Sequence, residues 1–84
     1  MKVVIYSTAI CPFCDRAKML LQKRDIEFTE IKVDQDAKLF EEMLTLSNGR
    51  RSVPQIFIDD KHIGGFDDLV DFDMEGGFEK NDSQ

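Results

Sequence analysis

The sequence predicts an α/β domain built on a four-stranded mixed sheet flanked by helices, in the order β-α-β-α-β-β-α. Three observations carry that prediction. Short apolar runs, first at residues 3–6, alternate with segments whose apolar residues recur every three or four positions, first from Pro12. Two such helical segments separate three strand-like runs, which is the pattern of a parallel pair joined by a crossover helix. The third run meets Asp59-Asp60, a turn pair that sends the chain directly back into a fourth strand as a hairpin.

Val3, Val4, Ile5 and Tyr6 are continuously apolar, as expected of a central strand covered on both faces. Ser7-Thr8-Ala9-Ile10 then forms a loop leading to Cys11. From Pro12 the pattern is helical: Phe13, Ala17, Leu20 and Leu21 share an inner face, while Asp15, Arg16, Lys18, Gln22 and Lys23 turn to water. Pro12 suits the first turn, where its missing N–H costs nothing. Residues 26–33 read as a second strand whose apolar phase shifts between Phe28 and Ile31, which calls for a bulge or a late start. Asp34-Gln35-Asp36 supplies a turn and an N-cap for a second helix, with Leu39, Phe40, Met43 and Leu44 inward and Asn48-Gly49 as its end. Pro54 precedes a third strand, Gln55-Ile56-Phe57-Ile58, and the fourth lies around Lys61-His62-Ile63. Gly64-Gly65 separates the hairpin from a last helix over Phe66–Met74, with Leu69 and Val70 inward, and residues 76–84 are a polar tail expected to fray. Residues 1–84 thus make one domain with the thioredoxin-like architecture, a size that leaves no room for a second regulatory unit.

The formal charge of -6, with acidic residues gathered toward the C-terminal third, argues against nucleic acid or an anionic membrane as partner. A solvated acidic face that keeps the chain soluble is the simpler reading. No apolar run approaches the ~20 residues that span a bilayer, and the first residues show no signal-peptide pattern, so a cytoplasmic location is expected. In that reducing compartment a closely spaced cysteine pair points to catalysis or metal binding rather than to a structural staple.

Cys11-Pro12-Phe13-Cys14 stands between a strand and a helix. A disulfide exchange catalyst needs a thiolate at neutral pH that a substrate can approach, and a second thiol close enough to expel the product. Cys11 at the helix N-terminus meets the first demand, because unpaired N–H groups and the helix dipole stabilise a negative sulfur. Cys14, one turn on and expected to be more buried, meets the second. Zinc would need two further ligands, and His62 is the one histidine the chain offers beyond the cysteine pair. Two inert core cysteines would explain Cys14 but not Cys11 beside a proline at a strand-to-helix junction. No metal is expected.

Two further segments carry chemistry. In Arg51-Ser52-Val53-Pro54 the proline suits the opening of a strand, and a cis Val53–Pro54 bond would turn the backbone of Val53 toward an extended substrate. From the residues alone trans is the default, since cis occurs in about 5–6% of X–Pro bonds. Gly64-Gly65-Phe66-Asp67-Asp68 reads structurally as a chain reversal followed by N-capping carboxylates. Functionally it offers free N–H groups to an α-carboxylate and an Asp side chain to an α-amino group. His62, in the hairpin, reads as a structural histidine.

With these segments placed, the chain resembles a dithiol glutaredoxin of the short bacterial type. The resemblance rests on Ile5-Tyr6, Cys11-Pro12-Phe13-Cys14, Arg16-Ala17-Lys18, Arg51 through Ile58 and His62 through Leu69, in that order and spacing. It implies a glutathione-dependent thiol–disulfide oxidoreductase with no tightly bound cofactor and glutathione as the reducing co-substrate. It implies Cys11 as nucleophile and Cys14 as resolver, with Pro12 and a cis-Pro54 as positioning residues. The expected glutathione contacts are Phe13, Arg51, Ser52, Val53, Pro54, Gly65, Phe66, Asp67 and Asp68. Phe13 stands where the family usually has Tyr, Ser52 where it has Thr, and Thr8 where many relatives carry a Lys for the glycyl carboxylate. Arg51, ahead of Arg50 or Lys38, is the expected substitute for that charge. The implied partners are oxidised or glutathionylated proteins, with ribonucleotide reductase among the candidate clients, and the implied state is a monomer. Two alternatives share the fold: a redoxin served by thioredoxin reductase, and a glutathione-ligated [2Fe–2S] carrier, which Pro12 and Cys14 disfavour.

Overall fold

A computed structural model of the chain describes residues 1–78. The first strand, β1 (Val3–Ser7), is central in the sheet. It pairs in parallel with β2 (Thr29–Lys32) and antiparallel with β3 (Gln55–Ile58), which pairs antiparallel with β4 (Lys61–Gly64). The strand order is β2-β1-β3-β4, with helices α1 (Pro12–Lys23), α2 (Ala37–Leu46) and α3 (Phe66–Met74) between and after the strands. This is the expected mixed sheet and element order.

Side chains alternate across the sheet and divide the core in two. Val3, Ile5, Ile56 and Ile58 face Ala17 and Leu21 of α1 and Leu69 of α3. Tyr6 and Phe57 face the other way and meet Met43 of α2 and Val33. A run that is apolar at every position is what a strand covered on both faces requires. The β3–β4 turn is made by Asp59 and Asp60 at φ 51 and 69, both left-handed, the hairpin geometry that matches strand twist.

The second strand starts late because α1 ends in a tight cap rather than a loop. Asp25 takes a left-handed φ of 59, its N–H donates to the Gln22 carbonyl at 3.0 Å, and the Ile26 N–H donates to the Leu21 carbonyl at 2.9 Å. That is the paired hydrogen bonding of a Schellman ending, with Ile26 returned to the core beside Leu20 and Leu21. Residues 26–28 are therefore spent on the return, and pairing with β1 begins only at Thr29. Asn48 and Gly49 end α2 in the same way, as expected, with the Gly49 N–H donating to Leu44 at 2.7 Å.

The C-terminal end departs from expectation. Gly76 and Gly77 are not frayed; they form a third such cap, in which the Gly77 N–H donates to the Phe72 carbonyl at 2.9 Å. A β-carbon at Gly77 would run into the Phe72 ring, so the close approach needs glycine. The cap folds Phe78 back into the core cluster that holds Ala17, Leu21 and Leu69, where it is 2% exposed and meets the Phe72 ring edge-on at 5.0 Å. The rest of the expected frayed tail, residues 79–84, lies outside the described residues. Phe78→Ala should therefore lower the unfolding free energy by about 3–5 kcal/mol, measured by urea denaturation. A loss under about 1 kcal/mol would show that Phe78 is not part of the core.

Candidate active site

Three chain segments meet at one end of the sheet. The first is the β1–α1 junction. Cys11 adopts an extended conformation as the N-cap of α1, and its sulfur accepts the Cys14 N–H at 3.1 Å. Pro12 occupies the first helical turn, as expected. The two cysteines are joined as a disulfide, their α-carbons 5.2 Å apart, with Cys14 fully buried and Cys11 just reaching the surface at 8% exposure. In the reduced protein the same N–H and the helix dipole favour negative charge on the Cys11 sulfur.

Phe13 is not on the inner face of α1, where its spacing with Ala17 suggested it would be. Cys14, Ala17 and Leu21 form the inward stripe, and Phe13, one position away, is rotated outward to 52% exposure. It is held there by the Arg16 guanidinium 5.2 Å above its ring and by Phe66, whose ring centre is 5.9 Å away.

The second segment is the loop before β3. The Val53–Pro54 bond is cis, and the Val53 carbonyl oxygen lies 3.8 Å from the Cys11 sulfur. Gln55 anchors this loop from beneath. Fully buried, its amide nitrogen donates to the Ser52 carbonyl at 3.0 Å and lies 3.3 Å from the Ser52 hydroxyl. Its amide oxygen is then left to accept from His62 Nε2 at 2.7 Å, which puts the His62 proton on Nε2. Sequence reasoning passed over Gln55, although a polar residue opening an otherwise apolar strand implies a buried hydrogen-bond partner.

His62 lies against the Phe57 ring at 4.9 Å, and burial, with the Arg50 charge adding to it and Asp68 opposing, holds its pKa below 6.5. The unfolded chain thus binds this proton more readily than the folded one, so His62 makes stability rise with pH. Its contribution is complete above pH 6.5 and is lost as pH falls through the lowered folded value. Glu30, whose carboxyl is lowered by the Ser7 hydroxyl and then by Lys18, acts only below 4.5. Urea midpoints should therefore fall between about pH 7 and pH 5 in the wild type and stay flatter in His62→Gln. Equal slopes in the two proteins would contradict the assignment.

The third segment is the start of α3. The Gly65 N–H donates to the Asp68 carboxylate at 3.0 Å. Gly64 has φ +125, and a β-carbon there would collide with that carboxylate, so the glycine is what lets Asp68 fold back over the helix start. Between this segment and the cis-proline loop lies a cleft of about 170 Å³. Phe13 and Phe66 form its aromatic walls, Ser52, Val53 and Pro54 one side, and Gly65 and Asp67 the other.

Seven of the expected binding residues thus line one cleft, and two do not. Asp68 instead turns its carboxylate back onto the Gly65 N–H at the start of α3. Arg51 lies outside it, with its guanidinium 5.2 Å over the ring of the half-buried Phe40 of α2, whose aromatic face attracts the cation. Arg50, by contrast, comes within 3.9 Å of where a β-carbon would sit on Gly65.

A helix-capping cysteine, a partner one turn on and a facing cis-proline loop, carried on this sheet, define a thiol–disulfide oxidoreductase of thioredoxin-like fold. The glutaredoxin family model matches residues 3–63. Glutaredoxin 3 of Escherichia coli strain K12 is 49% identical over 77 residues, covering 92% of each chain. A probable glutaredoxin of Synechocystis is 49% identical over 75 residues, covering 89% of this chain and 85% of its own. Among solved structures, a glutaredoxin from Brucella melitensis superposes with a TM-score of 0.80 at 41% identity, over 95% of this chain and 86% of that one. A buckwheat glutaredoxin–glutathione complex gives 0.82 at 30% identity, over 93% and 73%. The chain belongs to the glutaredoxin family.

Proposed function

We propose that this glutaredoxin draws its electrons from glutathione and uses them to reduce protein disulfides and protein–glutathione mixed disulfides in the cytoplasm. The observation that carries the reading is the cleft beside Cys11, which combines backbone groups for an extended peptide with a helix N-terminus for a carboxylate. A relative of known structure supports it, since the buckwheat glutaredoxin was solved as a glutathione complex. Val53 offers its backbone to the cysteinyl residue of glutathione, and Phe13 and Phe66 wall the sulfur. The N–H groups of Phe66 and Asp67 receive the γ-glutamyl carboxylate, with Gly65 giving close approach and Asp68 receiving the amino group. Arg50 adds positive charge at that end. Arg51, on the α2 side of Val53, serves the glycyl carboxylate in place of the Lys that Thr8 lacks.

The chemistry is a sequence of in-line exchanges. The Cys11 thiolate attacks a client disulfide, forming a Cys11–client disulfide and releasing the other client sulfur as a thiolate. Cys14 then attacks the Cys11 sulfur, releasing the second client thiolate and closing the Cys11–Cys14 disulfide. One glutathione thiolate opens that bond, leaving glutathione on Cys11 and a free Cys14. A second removes it as oxidised glutathione, so two glutathiones reduce one client disulfide. A glutathionylated client needs Cys11 alone, because glutathione passes directly to Cys11 and is removed by a second molecule.

The test is turnover of a small glutathione mixed disulfide with glutathione, glutathione reductase and NADPH. Activity is expected there and not with NADPH and thioredoxin reductase. The reverse pattern would assign the electrons to thioredoxin reductase, and a brown dimer as isolated would point to a cluster carrier.

A further inference from the structure

Ile10 is 92% exposed and immediately precedes Cys11. A single exposed aliphatic side chain ordinarily needs no explanation. This one is distinguished by where it sits and how it is held. The Ala9 N–H before it donates to the Asp34 carboxylate at 3.1 Å, and Cys11 after it is fixed as the α1 cap. The side chain is therefore displayed from a loop tied on both sides, so little ordering remains when something packs on it. Ile10 is not part of the cleft, whose nearest aromatic wall, Phe13, lies on the other side of Cys11 in the chain.

The reaction itself says what covers it. Each protein client becomes covalently joined to the Cys11 sulfur, one residue and about 3.8 Å of backbone from Ile10. The client residues flanking the attacked cysteine must then lie against the rim of the site, where Ile10 presents a bare aliphatic surface. We propose that Ile10 is a specificity-determining residue for polypeptide substrates, selecting extended segments with an apolar side chain beside the reactive cysteine. This rests on Cys11 as the attacking sulfur and is independent of glutathione as the reductant.

The test uses the reduced full-length protein and peptides whose single cysteine is paired with thionitrobenzoate, flanked either by Leu or by Ser. Thionitrobenzoate is the better leaving thiol, so Cys11 attacks the peptide sulfur, forms the Cys11–peptide disulfide and releases the thionitrobenzoate thiolate, which is read by its colour. Wild type should react about five- to tenfold faster with the Leu peptide, as expected for partial burial of one aliphatic contact. In Ile10→Ser that preference should vanish, while reaction with the Ser peptide and with a small glutathione mixed disulfide stays at the wild-type rate. Equal rates for the two peptides in wild type, or an undiminished Leu preference in Ile10→Ser, would overturn the proposal. A Cys11→Ser control that still reacts at the wild-type rate would instead overturn the Cys11 assignment.

Discussion

Cys11→Ser is expected to lose turnover on both protein disulfides and glutathione mixed disulfides, by on the order of 10³-fold or more in kcat/KM. The expectation follows from geometry rather than from the motif alone. Only the Cys11 sulfur combines surface access with a helix N-terminus; Cys14 is fully buried. A serine hydroxyl at the same place still accepts the Cys14 N–H and caps α1, so the fold is retained. It does not ionise near neutral pH, so the nucleophile is lost while the structure is kept. Activity within tenfold of wild type in this variant would mean that Cys14 attacks, which its burial contradicts.

Cys14→Ser should separate the two reactions. Reduction of glutathione mixed disulfides should persist within about threefold, because external glutathione replaces the resolving thiol. Reduction of protein disulfides should fall by about a hundredfold, since the Cys11–client disulfide then waits for a bimolecular attack instead of a neighbour held one helical turn away. The α-carbon separation of 5.2 Å is what gives Cys14 that advantage. A steady-state assay of each substrate class gives the ratio, and full activity on both would remove Cys14 from the mechanism.

The architecture was legible because each element announces itself locally. Apolar continuity marks β1 and β3, three- and four-residue spacing marks the helices, and Asp59-Asp60 marks the hairpin. What escaped depended on side chains meeting across the fold. Asp25 takes a left-handed conformation usually given to Gly or Asn, so the capped end of α1 was not visible in residue type, whereas the apolar phase shift between Phe28 and Ile31 did signal the late start of β2. Phe78 lay in a stretch read as polar, and only the cap through Gly76 and Gly77 returns it to the core.

The site divides in the same way. Cys11, Cys14 and Pro12 were readable because their chemistry is set by position on one helix. The residues expected to contact glutathione came from family resemblance, and Phe13, Ser52, Val53, Pro54, Gly65, Phe66 and Asp67 of that set line one cleft. Phe13 satisfied two patterns at once, helical inner face and sulfur wall, and the Cys14, Ala17, Leu21 stripe excludes the first. Arg50 and Arg51 are adjacent in sequence but separate on either side of the loop, one near Gly65 and one on Phe40, a division that charge alone does not reveal.

The most direct test of the central claim is the rate at which Cys14→Ser, whose sole thiol is Cys11, takes up glutathione from oxidised glutathione at neutral pH, followed by intact mass. The native variant should form a single adduct much faster than the same chain unfolded in urea, and reduced glutathione should remove it. Equal rates in the native and unfolded chains would contradict a site built to activate Cys11 and receive glutathione.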